Sequence, residues 1–179
     1  MSRIRVYMAI SLDGFVADAE HGVDWLPHEE VHETEALGFG EFIEQVGCML
    51  MGRSTYDFVA GFDGPWSYPE RVPVLVASTR DLTPKVPQVR RVEGDIEELL
   101  AEAKREAGGL DVYLDGGRIV QAALEKDLVD ELVLTRVPKA LGAGIPLFAP
   151  PRKDFEIVSH ARYGSMLQTT LRPVRVQQG

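Results

Sequence analysis

Short apolar runs alternate with stretches of helical spacing along this chain, and that alternation leaves few folds open. Ile4 to Ile10, Cys48 to Met51, Val72 to Ala77, Val89 to Val92, Leu110 to Leu114 and Leu132 to Val137 read as strands. Between them, Phe39, Phe42, Ile43 and Val46 recur at helical intervals, as do Ile96, Leu99, Leu100 and Ala103, and Ile119, Val120, Ala123, Leu124 and Leu128. Gly38 and Gly40 weaken the first of these helices in its middle, and Gly108-Gly109 ends the second. Strands alternating with helices imply an α/β fold with a mostly parallel sheet covered on both faces. Phe155 to Tyr163 and Ser165 to Val174 read as a closing antiparallel hairpin that turns at Tyr163-Gly164. The stretches 11–27, 61–72 and 138–151 read as loops, and a helix is expected to begin near His28.

In a sheet of this kind ligands bind at the carboxyl ends of the strands. Two segments there stand out: Met51-Gly52-Arg53-Ser54-Thr55-Tyr56 and Asp115-Gly116-Gly117-Arg118. Each follows an apolar run and precedes a short helix. Glycine at such a position lets a ligand approach the backbone. The free N–H groups of the following helix attract phosphate, and Arg53 or Arg118 can chelate its oxygens. Two such turns point to a ligand with several phosphates, such as a dinucleotide. A plain helix start, with Gly52 as turn and Ser54 as cap, remains open for the first segment. An ordinary turn remains open for the second. Val74 to Arg80 is a third strand end with hydroxyls and an arginine, and an exposed loop is the simpler reading of it.

At 179 residues the chain is expected to form one domain. Its net charge of −9 argues against general binding of nucleic acid or anionic membrane. The single cysteine, Cys48, rules out a disulfide framework and a cysteine-based zinc site. The start, Met1 to Arg5, leads into a run too short for a signal or membrane segment, so the cytoplasm is the expected compartment. His28-Glu29-Glu30-Val31-His32 spells the H-E-x-x-H of zinc proteases. It follows Pro27 directly and lacks the longer histidine continuation, so no metal is expected there. The sequence contains no P-loop, no G-x-G-x-x-G and no G-x-S-x-G.

Taken in order, several stretches resemble the dihydrofolate reductase superfamily, and within it the branch containing the pyrimidine reductase domain of riboflavin biosynthesis. They are Ala9-Ile10-Ser11-Leu12-Asp13-Gly14-Phe15, Trp25-Leu26-Pro27, Met51 to Tyr56, Asp115 to Arg118, and Leu128-Val129-Asp130-Glu131-Leu132, which continues into Pro138-Lys139-Ala140-Leu141-Gly142. The resemblance implies a central mixed, mostly parallel sheet of about eight strands with flanking helices. It also implies an NADPH-dependent reductase acting on a pterin-like or ribosylaminopyrimidine-like substrate. By that likeness Gly52, Arg53, Ser54 and Thr55 would bind the cofactor's phosphates and adenosine side, with Ser78 and Arg80 at the 2′-phosphate. Gly116, Gly117 and Arg118 would hold the diphosphate or adenosine side, with Ile119 and Val120 nearby. Ala9 and Ser11 would lie near the nicotinamide.

The chain also departs from the family pattern. Trp25-Leu26-Pro27 is one residue shorter than the Trp-x-x-Pro of folate reductases, and His28, Glu29 and Glu30 follow it. Glu29 is the candidate catalytic acid, with Thr135 as a hydrogen-bonding neighbour. A triple-glycine turn reads Asp115-Gly116-Gly117 here. A homodimer is expected from the riboflavin-branch likeness and from the apolar, Gly/Pro-rich stretch 141–151. A nucleotide-binding sensor without turnover is the competing function.

Overall fold

The computed structural model describes residues 2–27 and 37–175. Among them an eight-stranded sheet runs in the order β5-β4-β3-β6-β1-β7-β10-β9. The strands are β1 (Ile4–Ile10), β3 (Val46–Gly52), β4 (Val74–Ala77), β5 (Val89–Val92), β6 (Asp111–Asp115), β7 (Glu131–Arg136), β9 (Phe155–Tyr163) and β10 (Met166–Pro173). β1 and β3 to β7 pair in parallel, and β10 pairs antiparallel with both β7 and β9. The alternation implied a mostly parallel α/β sheet, and the resemblance implied this dihydrofolate-reductase-like form of it.

The helices are α1 (Phe39–Glu44), α2 (Arg53–Ala60), α3 (Ile96–Glu106) and α4 (Gly117–Glu125). Strand alternation divides the core between the two faces. Cys48, Leu50, Val112, Leu114 and Leu132 pack with Leu100, Ala103, Val120 and Ala123 from α3 and α4. Met49, Met51, Val74, Val76 and Tyr113 pack on the other side with Phe42, Ile43 and Tyr56. Burial pushes the Cys48 thiol up to about 12, so this cysteine behaves as a core residue. At the amino ends of the strands, buried Arg5 bonds Glu131 and Asp111 and lies over the Phe42 ring. That network fixes the end of the sheet opposite the glycine turns.

Gly38 caps α1 with φ of 76° and lies outside it, so that glycine starts the helix instead of weakening it. Two of the three stretches read as loops, 11–27 and 138–151, contain short strands. β2 (Phe15–Ala17) and β8 (Ile145–Pro146) pair as a small antiparallel ribbon. A two- or three-residue strand has too short a period to register in sequence, and Gly and Pro around it read as loop.

Asp13 fastens this ribbon's entry. Its carboxylate accepts from the Ser11 hydroxyl at 2.6 Å and from the backbone N–H groups of Leu141 and Gly142 at 3.0 and 2.8 Å. These bonds, the Ser11 hydroxyl first, hold its pKa down to about 2. A depressed carboxyl stabilises the fold above its unfolded pKa of roughly 4, and that contribution is lost as pH falls through about 2. Asp13→Ala is therefore expected to melt below the parent at pH 6. The two melting curves should converge as pH approaches 2, and a constant gap across that range would rule the clamp out.

Candidate functional site

The parallel register sets the two glycine turns side by side. Met51 is the partner of Asp115 across β3 and β6, so the chain leaves the sheet at Gly52 and at Gly116 on the same level. α2 and α4 begin there. Neither helix has a side-chain cap on its first turn, in contrast to α3, where Asp95 and Glu98 form a capping box. The first-turn N–H groups of α2 and α4 are thus left for water or a ligand. Gly116, with φ of 110°, carries the bend. Gly117 has an ordinary φ and opens the helix, with its α-carbon turned toward Val16 and Ile145 of the ribbon.

A cleft of about 680 Å³ lies across this edge of the sheet. Ala9, Gly52, Arg53, Ser54, Thr55, Gly116, Gly117, Arg118 and Ile119 all line it, so the structure brings together most of the residues singled out in the sequence. Ser78 stands just outside, linked to the cleft through Arg53, whose Nη1 lies 3.4 Å from the Ser78 hydroxyl. The same guanidinium bonds Asp57 through Nε at 2.7 Å and the Asp81 carbonyl at 2.8 Å. Arg53 therefore braces α2 against the loop after β4. Arg80 is exposed and its backbone N–H donates to the Ser78 hydroxyl.

Besides Ser78 and Arg80, Val120 and Ser11 also stay off the cleft lining. Val120 is fully buried in the α3/α4 core and does not line the cleft, because helical spacing turns it inward from Ile119. Ser11 is fully buried as well. Its hydroxyl donates to Asp13 and accepts from the Phe15 N–H, so its polar group is used within the turn. Glu29, His28 and His32 lie outside the described residues. Among the described residues no group of three or more His, Cys, Asp and Glu could hold a metal ion.

The sequence reading passed over Asp115 as a candidate acid. It ends β6, on the face that carries Tyr7 and Tyr113, and it lines the cleft. Burial raises its pKa to about 6, while the Gly116 N–H and the neighbouring Tyr113 and Tyr68 hydroxyls pull it partly back. The Tyr113 hydroxyl itself donates to the Tyr7 carbonyl at 2.8 Å. The Tyr7 hydroxyl donates to the Leu37 carbonyl at 2.8 Å and accepts from Gln168 Nε2, which also reaches Thr135 Oγ1 at 3.2 Å. Thr135 thus belongs to a polar group under the cleft wall. The signal for Asp115 was present in the sequence: one acid closing an apolar strand, directly before two glycines.

The sheet order, the paired turns and the cleft together define a dihydrofolate-reductase-like α/β protein. The chain belongs to the family of RibD C-terminal domains, whose pattern its residues 2–169 match. A provisionally assigned riboflavin biosynthesis protein of Shewanella sp. PV-4 is 35% identical, with a TM-score of 0.83 over 97% of this chain and 99% of that one. The uncharacterised protein YwjB of Bacillus subtilis is 29% identical over 144 residues, 80% of each chain. The diaminohydroxyphosphoribosylaminopyrimidine deaminase/5-amino-6-(5-phosphoribosylamino)uracil reductase of Thermotoga maritima shares the fold. It has 17% identity and a TM-score of 0.66, over 97% of this chain and 57% of that protein. Among the described residues no helix is long and apolar enough to cross a membrane.

Proposed function

We propose that this chain is an NADPH-dependent reductase passing hydride to a pterin-like or ribosylaminopyrimidine-like substrate. One observation carries the reading: two uncapped helix starts and a carboxyl of raised pKa share a single cleft. Gly52 supports the dinucleotide reading as well. A methyl group there would meet nothing within 4 Å, so the turn leaves open space at the cleft wall. The N–H groups opening α2 and α4 would hold the phosphates, with Arg118 beside them. Arg53 and Ser78 would take the 2′-phosphate, and Ala9 would lie against the nicotinamide. Bound NADPH supplies the hydride. Asp115 supplies the proton that reduction of a C=N or C=O bond also requires, and its pKa suits that task near neutral pH.

NADPH is expected to bind more tightly than NADH. A charge-assisted contact at the 2′-phosphate is worth roughly 1.5–3 kcal/mol, about tenfold or more in affinity. Equal affinities in a calorimetric titration would reject the 2′-phosphate corner. Gly52→Ala gives a second test, because its φ of −74° suits alanine and the added methyl touches no protein atom. The variant should melt like the parent and bind NADPH at least about tenfold more weakly, roughly 1.4 kcal/mol. Undiminished binding would leave the first turn a plain helix start. Cofactor binding without reduction of any pterin or pyrimidine would favour the sensor reading. The protein is further proposed to work in the cytoplasm as a homodimer, through the stretch 141–151 in which Phe148 is exposed. Light scattering that returns the monomer mass would reject the dimer.

A further inference from the structure

Among the described residues, three basic side chains line the cleft: Arg53, Arg118 and His21. Arg53 is tied to Asp57 and to the Asp81 carbonyl. Arg118 is the second residue of α4. His21 comes from the turn after β2, and its backbone is strained. Its φ of 66° lies in the left-handed region, which a residue with a Cβ enters only at a cost in free energy. The turn does contain a glycine, but at position 22. A Cβ there would lie 2.8 Å from Asp18 Oδ2, so Gly22 is small to clear that carboxylate. Asp18 Oδ1 in turn accepts from the N–H groups of Glu20 and Gly22 at 3.0 and 2.6 Å. The left-handed position is thus filled by a histidine. Among the described residues no partner bonds its exposed imidazole, so the side chain is free to meet a ligand.

The strand order tells which part of a ligand His21 meets. Across the sheet β4, β3, β6 and β1 are successive neighbours. On the reductase reading the 2′-phosphate lies by Ser78 after β4, and the diphosphate at the helix starts after β3 and β6. The nicotinamide lies by Ala9 in β1. β2 crosses on the α4 side of this row. Val16 Cγ2 is 2.8 Å from where a Cβ on Gly117 would sit, and Ala17 lines the cleft. The chain then doubles back at once. The Asp18 N–H donates to the Gly22 carbonyl at 3.0 Å, and the His21 N–H to the Asp18 carbonyl at 3.2 Å. His21 is thereby kept beside the end of β2. We propose that His21 donates a hydrogen bond to the phosphate on the nicotinamide half of a bound dinucleotide. The proposal rests on the reductase reading for the identity of the ligand. An imidazole has an N–H donor whether neutral or protonated, and a phosphate oxygen is a strong acceptor. The fixed turn sets the donor in place before the ligand arrives. Arg118 and the first N–H groups of α4 hold the diphosphate from the helix, and His21 holds it from the loop.

The test is calorimetric titration of NADP⁺ and of 2′-AMP into the full chain and into His21→Asn, with thermal melts of both proteins. Asparagine tolerates the left-handed conformation well, and its side chain is shorter than histidine's. The variant is expected to melt at or above the parent. It should bind NADP⁺ about tenfold more weakly, the loss of one hydrogen bond to a charged group. His21→Gly, which removes the side chain altogether, should show the same loss. 2′-AMP has the adenosine and the 2′-phosphate but no nicotinamide half, and it should bind parent and variants alike. Unchanged NADP⁺ affinity, or an equal loss for 2′-AMP, overturns the proposal. So does a His21→Asn variant that melts well below the parent, which would make the histidine part of the turn's own structure. A parent that binds neither ligand rejects the reductase reading and this assignment with it. A parent and variants that bind both ligands equally leave that reading standing and remove His21 from it.

Discussion

Replacing Gly116 with alanine is expected to remove measurable cofactor affinity and to lower the melting temperature by several degrees. The residue has φ of 110° and ψ of 131°, a conformation that L side chains rarely adopt. Forcing a non-glycine residue there costs on the order of 1–3 kcal/mol. The alanine Cβ would also lie 2.6 Å from Thr55 Oγ1 and 3.6 Å from the Gly52 backbone nitrogen. It would therefore push directly on the start of α2, and both helix starts would move. For a chain of this size each kcal/mol lost lowers the midpoint by about 2–4 °C. Donor N–H groups displaced by even ~1 Å no longer converge on one set of oxygens. Thermal melts separate the two effects, because titration below the new midpoint reads affinity in folded protein. A folded Gly116→Ala variant with parental NADPH affinity would show that the paired turns do not cradle the cofactor.

The neighbouring glycine gives a different expectation from the one its sequence suggests. Asp115-Gly116-Gly117 alone does not say which glycine makes the bend. The backbone assigns it to Gly116, while a Cβ on Gly117 would lie 2.8 Å from Val16 Cγ2 and 3.0 Å from Ile145 Cγ2. Gly117 is thus small because the β2–β8 ribbon packs on it, and that ribbon is itself invisible to periodicity. Legibility followed the length of the signal. Strands such as β1 and β3 and the amphipathic α3 carry four or more apolar residues at a fixed period, and their order predicted the sheet. The paired glycine turns were legible because glycine at a strand end has few purely structural reasons. Val120 and Ser11 were misplaced for a local reason: neighbours of a site residue on a helix or turn face other directions, and a motif does not encode which. Asp115 was passed over because its raised pKa comes from its surroundings beside Tyr68 and Tyr113, which reach it from a distant loop and from its own strand.

Asp115→Asn is expected to lower kcat/KM by about 10²–10⁴-fold, the usual contribution of a positioned general acid. The parent should show activity falling as pH rises past about 6, where burial has placed this carboxyl. Stability gives an independent reading of the same residue. Its folded pKa lies above the unfolded value of roughly 4, so between those values the folded state holds the proton more tightly. The stability of the parent therefore declines as pH rises through that window, and the deficit persists at neutral pH. Asparagine removes the half-buried charge and keeps the shape and the polar contacts. The variant should consequently melt above the parent at pH 8, and the advantage should vanish near pH 4, where both side chains are neutral. Gain of stability with loss of turnover is the mark of a group kept for chemistry at the expense of the fold. If the variant retains turnover within about twofold, proton delivery passes to another group. If it melts below the parent at pH 8, Asp115 is a structural hydrogen-bond acceptor, and the cleft keeps its shape through that carboxylate.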